Sequence, residues 1–475
     1  MIIGIYYGKG KPQDLGEFLS PLVAEFNSIL QHGIQIGDYT IAVTLKCFVC
    51  DSPARSFIKG VANFNSQHGC HKCSIEGEYS HLSHTNYYPN KIYPKRTNDT
   101  FRNKEDEYHH KIDSPLLKLP INMIDAFPVA DSLHLIDLGI VKRLLTGWRD
   151  GYFKNKMLKW PCKTTEELSS KMQSLKLKRK VKTLRRVLDC LSFWKALEYR
   201  NFILYYGIVV LKGVLRVDVY EHFLILFCAV TICSTDQYKR FYDAATKLLK
   251  HFVDQYCIIY GEQYLTSNVH NLIHLTEDVN NLGNLTKFSA YPFESKLYEI
   301  KNMLRSGNKP LAQIANRLIE IQKAQYDLQK VVKSDTNPQL KYVTSNSYLG
   351  HVVKDNLTPI YKMLILEDVC FGGKEENCWI LTKNNRVVRV NAFCKLEEKI
   401  IFSGKEMKHC SDFFRTPIDS SKLNIYSINI STVHSNYLMS SETTFELLDI
   451  KCKMVKVSYN YDIVFIPRLH TLNPE

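Results

Sequence analysis

Residues 39–51 read YTIAVTLKCFVCD, a nearly continuous apolar run that ends in a carboxylate. The run shows little alternation of apolar and polar side chains, which predicts a strand buried on both faces, as in α/β sheets. Asp51 follows this strand directly, and functional groups in such sheets collect at the carboxyl ends of strands. Pro53 favours a helix start just after it. We therefore expect Asp51 either to belong to a functional site or to cap that helix.

The sequence before this run predicts a strand and then a helix. Residues 2–7, IIGIYY, are β-branched and aromatic and end at the turn-forming GKGKP. Asp14 and Glu17 have the spacing of a capping box, and Gly33 marks the helix end. Apolar residues recur at helical spacing between these signals, so we expect a helix over about 14–31.

The rest of the chain divides by texture. Residues 76–111 are polar and basic, which predicts a surface loop. Residues from about 112 to 335 carry apolar stripes of helical period in several segments. After about 340 the pattern alternates, with a hairpin turn expected at Asn384–Asn385, so 345–475 is predicted to be a small β-rich domain.

Composition sets limits on the class of protein. The 475 residues carry 62 Lys and Arg against 48 Asp and Glu, a formal charge of +14. Such a surplus suits a polyanion such as DNA or RNA, although it also occurs in soluble proteins that are merely basic. The 14 cysteines are too sparse for a secreted disulfide scaffold, and no apolar run reaches membrane-spanning length. We expect a soluble protein in a reducing compartment, with no membrane partner.

One of two cysteine pairs forms a candidate metal site with a histidine pair. Cys70 and Cys73 lie in QHGCHKCS, where Gly69 permits a tight turn, and the remote His270 and His274 are spaced to share one helix face. Two thiolates and two imidazoles form a ligand set that zinc prefers. The alternative is a free thiol pair and two surface histidines. Six nearby histidines are competing ligands: His68, His71, His81, His84, His109 and His110. The other pair, Cys47 and Cys50, points to opposite faces of the predicted strand and is expected to be core packing.

Two blocks of sequence resemble a known family. Residues 14–60, which run from DLGEFLSPLVAEFNSIL to YTIAVTLKCFVCDSPARSFIKG, and residues 290–310, AYPFESKLYEIKNMLRSGNKP, are similar to the catalytic region of CACTA (En/Spm-like) cut-and-paste transposases. The resemblance covers roughly residues 2–335. It implies an RNase H-like fold of the DDE/D class, interrupted by a helical insertion.

The resemblance also implies a chemistry and a ligand set. Asp51 and Glu294 correspond to two of three carboxylates that hold two Mg²⁺ ions for cleavage and transfer of DNA strands. The order Asp, Cys-x-x-Cys, helical insertion, His pair and Glu is similar to that of the catalytic subunit of the V(D)J recombinase. This similarity supports structural zinc at Cys70, Cys73, His270 and His274. The other readings are a helix cap for Asp51 and a first-turn residue for Glu294.

The expected organisation follows from this comparison. The fold class is α/β, an incomplete RNase H-like core with a large all-α insertion and a C-terminal β-rich domain. Its parts are the first section of the core (1–75), the insertion (76–290), the last core helices (291–338) and the β-rich domain (345–475). The first catalytic Asp and its strand are expected to be absent, which leaves an apolar strand edge exposed and the chain inactive as given.

Partners are implied in the same way. Double-stranded DNA, as transposon ends and target, is the expected partner in the nucleus, and a homodimer is left open. Candidate phosphate contacts are Lys176, Lys178, Arg179, Lys180, Lys296, Arg305 and Lys309. The basic run at 176–186 is equally typical of a solvated helix face. The competing functions are a non-catalytic, transposon-derived protein that binds DNA or protein, and a zinc-stabilised helical interaction protein.

Overall fold

The fold has a helical N-terminal region and a C-terminal antiparallel β-sheet domain. The computed structural model describes residues 2–153, 155–175, 188–331, 338–344, 359–366, 368–397, 399–431 and 438–473. Its α-helices, numbered along the chain, are α1 (Leu15–His32), α2 (Ser52–Lys59), α3 (Asn98–Arg102), α4 (Lys142–Asp150), α5 (Cys162–Ser174), α6 (Ala196–Asn201), α7 (Gly207–Val210), α8 (Val217–Cys233), α9 (Tyr242–Tyr260), α10 (Ser267–Asn271), α11 (Leu275–Leu282), α12 (Tyr291–Met303) and α13 (Pro310–Val331).

Within the described residues, the strands form three separate sheets. They are β1 (Ile34–Ile36), β2 (Tyr39–Ile41), β3 (Glu78–Ser80), β4 (Thr85–Tyr87), β5 (Gln339–Thr344), β6 (Ile360–Leu366), β7 (Val369–Gly372), β8 (Trp379–Thr382), β9 (Val387–Leu396), β10 (Lys399–Met407), β11 (Tyr426–Asn429), β12 (Met439–Glu446), β13 (Ile450–Tyr459) and β14 (Asp462–Pro467). The chain divides into two compact units, Met1–Gly139 with Gly261–Ser334 (unit 1) and Ile140–Tyr260 with Asp335–Glu475 (unit 2).

Helix α1 forms as the sequence predicts. The Asp14 carboxylate accepts a hydrogen bond from the backbone N–H of Glu17 at 3.0 Å, and Gly33 ends the helix with a positive φ of 73°. Leu15, Leu19 and Val23 are buried on one stripe. They belong to an apolar cluster that also contains residues from 116–127, and this cluster is the core beneath α1 and α2.

The two strands predicted near the N-terminus are wrong. Residues 2–7, all described, form no strand, and of residues 39–50 only Tyr39–Ile41 is a strand. Gly37, with a φ of 59°, lets β2 turn back and pair with β1 as a short antiparallel hairpin. The four apolar side chains of this hairpin lie opposite one another on one face, and all are exposed: Ile34, Ile36, Tyr39 and Ile41.

The apolar residues after β2 pack as side chains and not as a sheet. The Phe48 ring stacks on Phe127 with 5.1 Å between centroids, and its backbone N–H donates to the Ala126 carbonyl at 2.8 Å. Leu45 contacts the same core cluster. A continuous apolar run is typical of any buried segment, so this pattern alone did not distinguish a strand from a buried segment without regular secondary structure.

The segment 76–111 is more ordered than a surface loop. It contains the β3–β4 hairpin and α3, and it buries Tyr88, Phe101 and His109. Its polar composition reflects exposed turns between these anchors. The prediction of a surface loop is therefore wrong for part of this segment.

Unit 2 combines helices with the large sheet. Helix α8 is buried along most of its length, which explains its almost uninterrupted apolar sequence, and it packs on α9. Among the described residues, no helix has the length and apolar content needed to cross a membrane.

The sheet of unit 2 is antiparallel throughout. Its main order is β11-β14-β13-β8-β9-β10-β12, with β5, β6 and β7 attached through β9. The turn between β8 and β9 lies at Asn385, whose φ is 57°, as the sequence predicts. The β-rich texture after 340 is thus confirmed.

Candidate metal centre and carboxylate site

Four side chains of unit 1 converge in one buried group. Cys70 and Cys73 lie on the loop between α2 and β3, His270 lies on α10, and His274 ends the 3₁₀ turn before α11. The Sγ–Sγ distance is 3.5 Å and the Nε2–Nε2 distance is 3.3 Å. Cys73 Sγ lies 3.3 Å from His270 Nε2, and Cys70 Sγ lies 3.6 Å from His274 Nε2. The prediction that these four residues meet is confirmed.

These four of the six distances between ligand atoms are close to those around a tetrahedral zinc ion, and all six lie within 4.8 Å. Bonds of about 2.3 Å to sulfur and about 2.05 Å to nitrogen give tetrahedral edges of about 3.8 Å between sulfurs, 3.6 Å between sulfur and nitrogen, and 3.3 Å between nitrogens. The four distances above differ from these edges by no more than about 0.3 Å. Two thiolates and two imidazoles also match the donor set of a closed structural site. The group can therefore hold a metal such as zinc.

The cysteine turn has the backbone geometry that thiolate ligands need. The N–H groups of Lys72 and Cys73 both donate to Cys70 Sγ at 3.4 Å. A Cβ on Gly69 would lie 2.6 Å from the Asn63 carbonyl and from the Tyr88 hydroxyl, so only glycine fits there. The prediction that Gly69 permits a tight turn thus has a steric reason.

The pKa values of the two thiols are shifted in opposite directions. Burial opposes ionisation of Cys70, but the hydrogen bond from Cys73 and the two imidazoles together lower its pKa well below the usual value. The same hydrogen bond, with burial, raises the pKa of Cys73. Cys70 is thus the first thiolate of the pair. Metal binding would take the remaining proton from Cys73, because thiolates are the ligating form.

Two of the competing histidines have hydrogen-bond partners elsewhere. His71 Nε2 lies 3.1 Å from the Ser56 hydroxyl, and His109 Nδ1 lies 2.7 Å from the His68 carbonyl. Within the described residues, no other group of three or more such side chains is close enough to hold a metal ion. All fourteen cysteines are free thiols, and burial raises the pKa of both Cys47 and Cys50, the latter to about 11.

A buried ion pair adjoins the cysteine turn. Lys72 Nζ lies 2.6 Å from Asp278 Oδ1, and their side chains are 1% and 0% exposed. Lys72 also donates to the Ile124 carbonyl at 2.9 Å. The other oxygen, Asp278 Oδ2, accepts from the N–H groups of Val129 and Ala130 at 2.6 and 3.0 Å. The pair ties the turn to α11 and to residues 129–130.

Asp51 is the N-cap of α2. Its carboxylate accepts from the Ala54 N–H at 2.7 Å, and the residue is exposed. The cap reading is therefore correct in structural terms. It occupies one oxygen of an exposed carboxylate and leaves the other open to solvent or a ligand.

Glu294 lies beside His134, and the charge of Asp51 acts on the same imidazole. Glu294 stands in the first turn of α12, is 52% exposed, and places Oε1 3.8 Å from His134 Nε2. The hydrogen bond to Asp131 raises the pKa of His134, and the negative charges of Asp51 and Glu294 raise it further. Negative charges from residues far apart in the sequence thus act on one half-buried imidazole.

Asp131 is a site residue that sequence reasoning missed. Its Oδ2 lies 2.5 Å from His134 Nδ1, and its Oδ1 accepts from the Ala290 N–H at 2.9 Å. Burial opposes its ionisation, yet these hydrogen bonds keep its pKa below the usual value. The sequence does contain a local signal for Asp131, because Asp is a favoured N-cap residue just before a helical segment. His134 was likewise assigned no role from the sequence.

The predicted phosphate contacts have different surroundings. Lys296 pairs with Glu299 at 2.6 Å, whereas Arg305 and Lys309 are exposed beyond the end of α12. Glu299 is thus an exposed residue that pairs with a neighbour on the same helix. The remaining candidates lie outside the described residues: Lys176, Lys178, Arg179 and Lys180.

Comparison with known proteins adds one partial match. Residues 346–468 match a family described as "Domain of unknown function (DUF8592)", which corresponds to most of the β-rich part. No curated protein matches the chain.

Proposed function

We propose that this chain is a transposase-like protein of the DDE/D class, with unit 1 carrying part of an RNase H-like core. One observation carries the proposal: His134 lies 3.8 Å from Glu294, and the negative charge of Asp51, from the other end of the region of resemblance, also raises the pKa of this imidazole. Two exposed carboxylates that act on one imidazole repel each other, so they suit a divalent cation better than they suit fold stability.

The chain's own groups would act as ligands and as a scaffold. The open oxygens of Asp51 and Glu294 would bind Mg²⁺, which supplies activation of water or a 3′-hydroxyl and stabilisation of the leaving oxygen. Asp131 holds the His134 ring in one orientation through Nδ1. Arg305 and Lys309, exposed after α12, would bind phosphates of double-stranded DNA. Such a partner would place the protein in the nucleus.

The zinc site has a structural role in this proposal. Its ligands come from the loop after α2 and from α10 to α11, so an ion there would fasten the two segments that bear Asp51 and Glu294. The group is buried on all four ligands, which suits a closed structural site and leaves no open position for substrate.

Asp51 and Glu294 are one short of the three carboxylates that the family uses. The oxygens of Asp131 are already engaged by His134 and Ala290. We therefore propose that the chain as given does not cleave DNA. The second candidate function, a non-catalytic transposon-derived protein that binds DNA or protein, has its own support. The apolar face of the β1–β2 hairpin is exposed, which is typical of a surface that contacts a partner.

Metal binding tests the proposal directly. Mn²⁺, used as a paramagnetic substitute for Mg²⁺, is titrated into the zinc-loaded protein and followed by electron paramagnetic resonance. We expect binding that Asp51→Asn or Glu294→Gln weakens at least tenfold. Glu299→Gln, on the same helix, serves as the matched control and should bind normally.

The outcomes separate the candidate functions. Equal Mn²⁺ binding by all variants would refute the carboxylate site. Salt-dependent DNA binding without a Mn²⁺ site would favour the non-catalytic function. Nicking of supercoiled plasmid by this sequence in Mg²⁺ would show that the catalytic set is complete within the chain, contrary to the proposal.

A further inference from the structure

We propose that Asp278 is a positioning residue, through which the Cys2His2 group sets the placement of Asp131 and His134. The inference rests on the proposed zinc site and deepens the proposed function, but it does not depend on DNA cleavage. It follows from an unbroken chain of hydrogen bonds and ion pairs within unit 1.

The first link joins the cysteine turn to α11. Lys72 lies between the two cysteine ligands, and its ammonium group contacts Asp278 at 2.6 Å with no water access. Asp278 lies one helical turn after His274, on the segment that supplies the histidine ligands. A shift of either pair of metal ligands therefore moves one partner of this ion pair.

The second link joins Asp278 to the backbone just before Asp131. Asp278 Oδ2 holds the N–H groups of Val129 and Ala130, which immediately precede Asp131. Both acceptor atoms of Asp278 are thus engaged on different segments. The carboxylate acts as a bridge, since Oδ1 contacts the turn and Oδ2 contacts the backbone next to the site.

The third link connects Asp131 to His134 and to the start of α12. Its Oδ1 accepts from the N–H of Ala290, the N-cap of α12, and its Oδ2 fixes His134 Nδ1. Glu294 lies one turn into α12, where its Oε1 faces His134 Nε2. The position of residues 129–131 therefore sets both the imidazole and the start of the helix that carries the carboxylate.

An ordinary structural role does not account for both contacts of Asp278. A buried ion pair contributes little net stability compared with apolar packing, so it is a costly way to fill a core. Its value lies in fixed geometry, because Lys72 and the two N–H groups allow one carboxylate orientation. That orientation connects the metal ligands to the site.

The experiment changes the metal and observes the site. Full-length protein is loaded with Zn²⁺ or with Cd²⁺, a larger ion that takes the same thiolate and imidazole ligands. Nuclear magnetic resonance follows the ring signals of His134, assigned by their loss in His134→Gln, and the amide signals of Val129 and Ala130. We expect all of these signals to shift between the two metal forms.

Variants locate the path. In Lys72→Met/Asp278→Asn, which removes the ion pair but keeps an acceptor for the two N–H groups, the metal-dependent shift of His134 should be lost. Glu277→Gln, which changes the adjacent, partly exposed residue of α11, should keep it. Lys72→Arg, which retains the charge in a different shape, should give an altered shift and replaces the double variant if that protein does not fold.

Two results would overturn the inference. One is an unchanged His134 signal in wild-type protein that has taken up one equivalent of Cd²⁺. The other is an equal shift in wild-type protein and in the variant without the ion pair. Failure to bind either metal would refute the zinc proposal itself, and Mn²⁺ binding at Asp51 and Glu294 would still be measurable separately.

Discussion

Removal of the Lys72 charge should strongly destabilise unit 1. Lys72→Met leaves Asp278 buried and without its cation, since the pair is 1% and 0% exposed with a 2.6 Å contact. Breaking such a buried pair costs about 3–5 kcal/mol, because the remaining charge is desolvated and uncompensated. With a urea slope of about 2 kcal/mol per molar, the unfolding midpoint should fall by about 2 M.

The neighbouring exposed pair provides the control. Lys95 lies 3.2 Å from Glu277, but these side chains are 66% and 32% exposed, so Lys95→Met should cost only about 0–1 kcal/mol. Unfolding of the zinc-loaded proteins is followed by amide exchange in peptides of unit 1, because the two units need not unfold together. Lys72→Met/Asp278→Asn should recover part of the loss. Midpoints for the two single variants within about 0.5 M of each other would refute the reasoning.

Three further predictions concern the core, a titration and DNA contacts. Leu19→Ala, buried in the α1 cluster, should cost about 2–5 kcal/mol in urea unfolding, and the exposed Phe18→Ala much less. Burial opposes ionisation of Glu375, yet Arg389 lowers its pKa below 4.5. The ionised Glu375 carboxylate should therefore stabilise the fold above pH 4.5, and this stabilisation should be lost as pH falls through the lowered pKa. Nuclear magnetic resonance of the carboxyl group should show that Arg389→Gln raises the pKa of Glu375. Arg305→Gln should weaken DNA binding across sequences and reduce the salt slope by about 1; an unchanged slope would exclude a phosphate contact.

The metal ligands were predictable because each pair of ligands has a short and characteristic sequence spacing. Cys70-x-x-Cys73 and His270-x-x-x-His274 each define half of a tetrahedron from local geometry. The resemblance then indicated that the halves meet. Helix α1 was equally accessible, since the Asp14 cap and its apolar stripe are both local.

The strands and the carboxylate surroundings were not predictable in this way. The run at 39–50 is apolar because Leu45 and Phe48 enter the helical core, a tertiary fact that periodicity does not encode. The surroundings of Asp131 and His134 depend on contacts with Ala290 and Glu294, which lie far along the chain. Such partners are identified by the fold and not by spacing.

The central claim is that Asp51 and Glu294 share a divalent ion next to a zinc-fastened core. Anomalous X-ray diffraction from crystals of the zinc-loaded protein soaked in Mn²⁺ tests it most directly. We predict a zinc peak among Cys70, Cys73 and the two histidines, and a manganese peak in contact with both carboxylates. A fully occupied zinc site with Mn²⁺ bound only elsewhere would contradict the account.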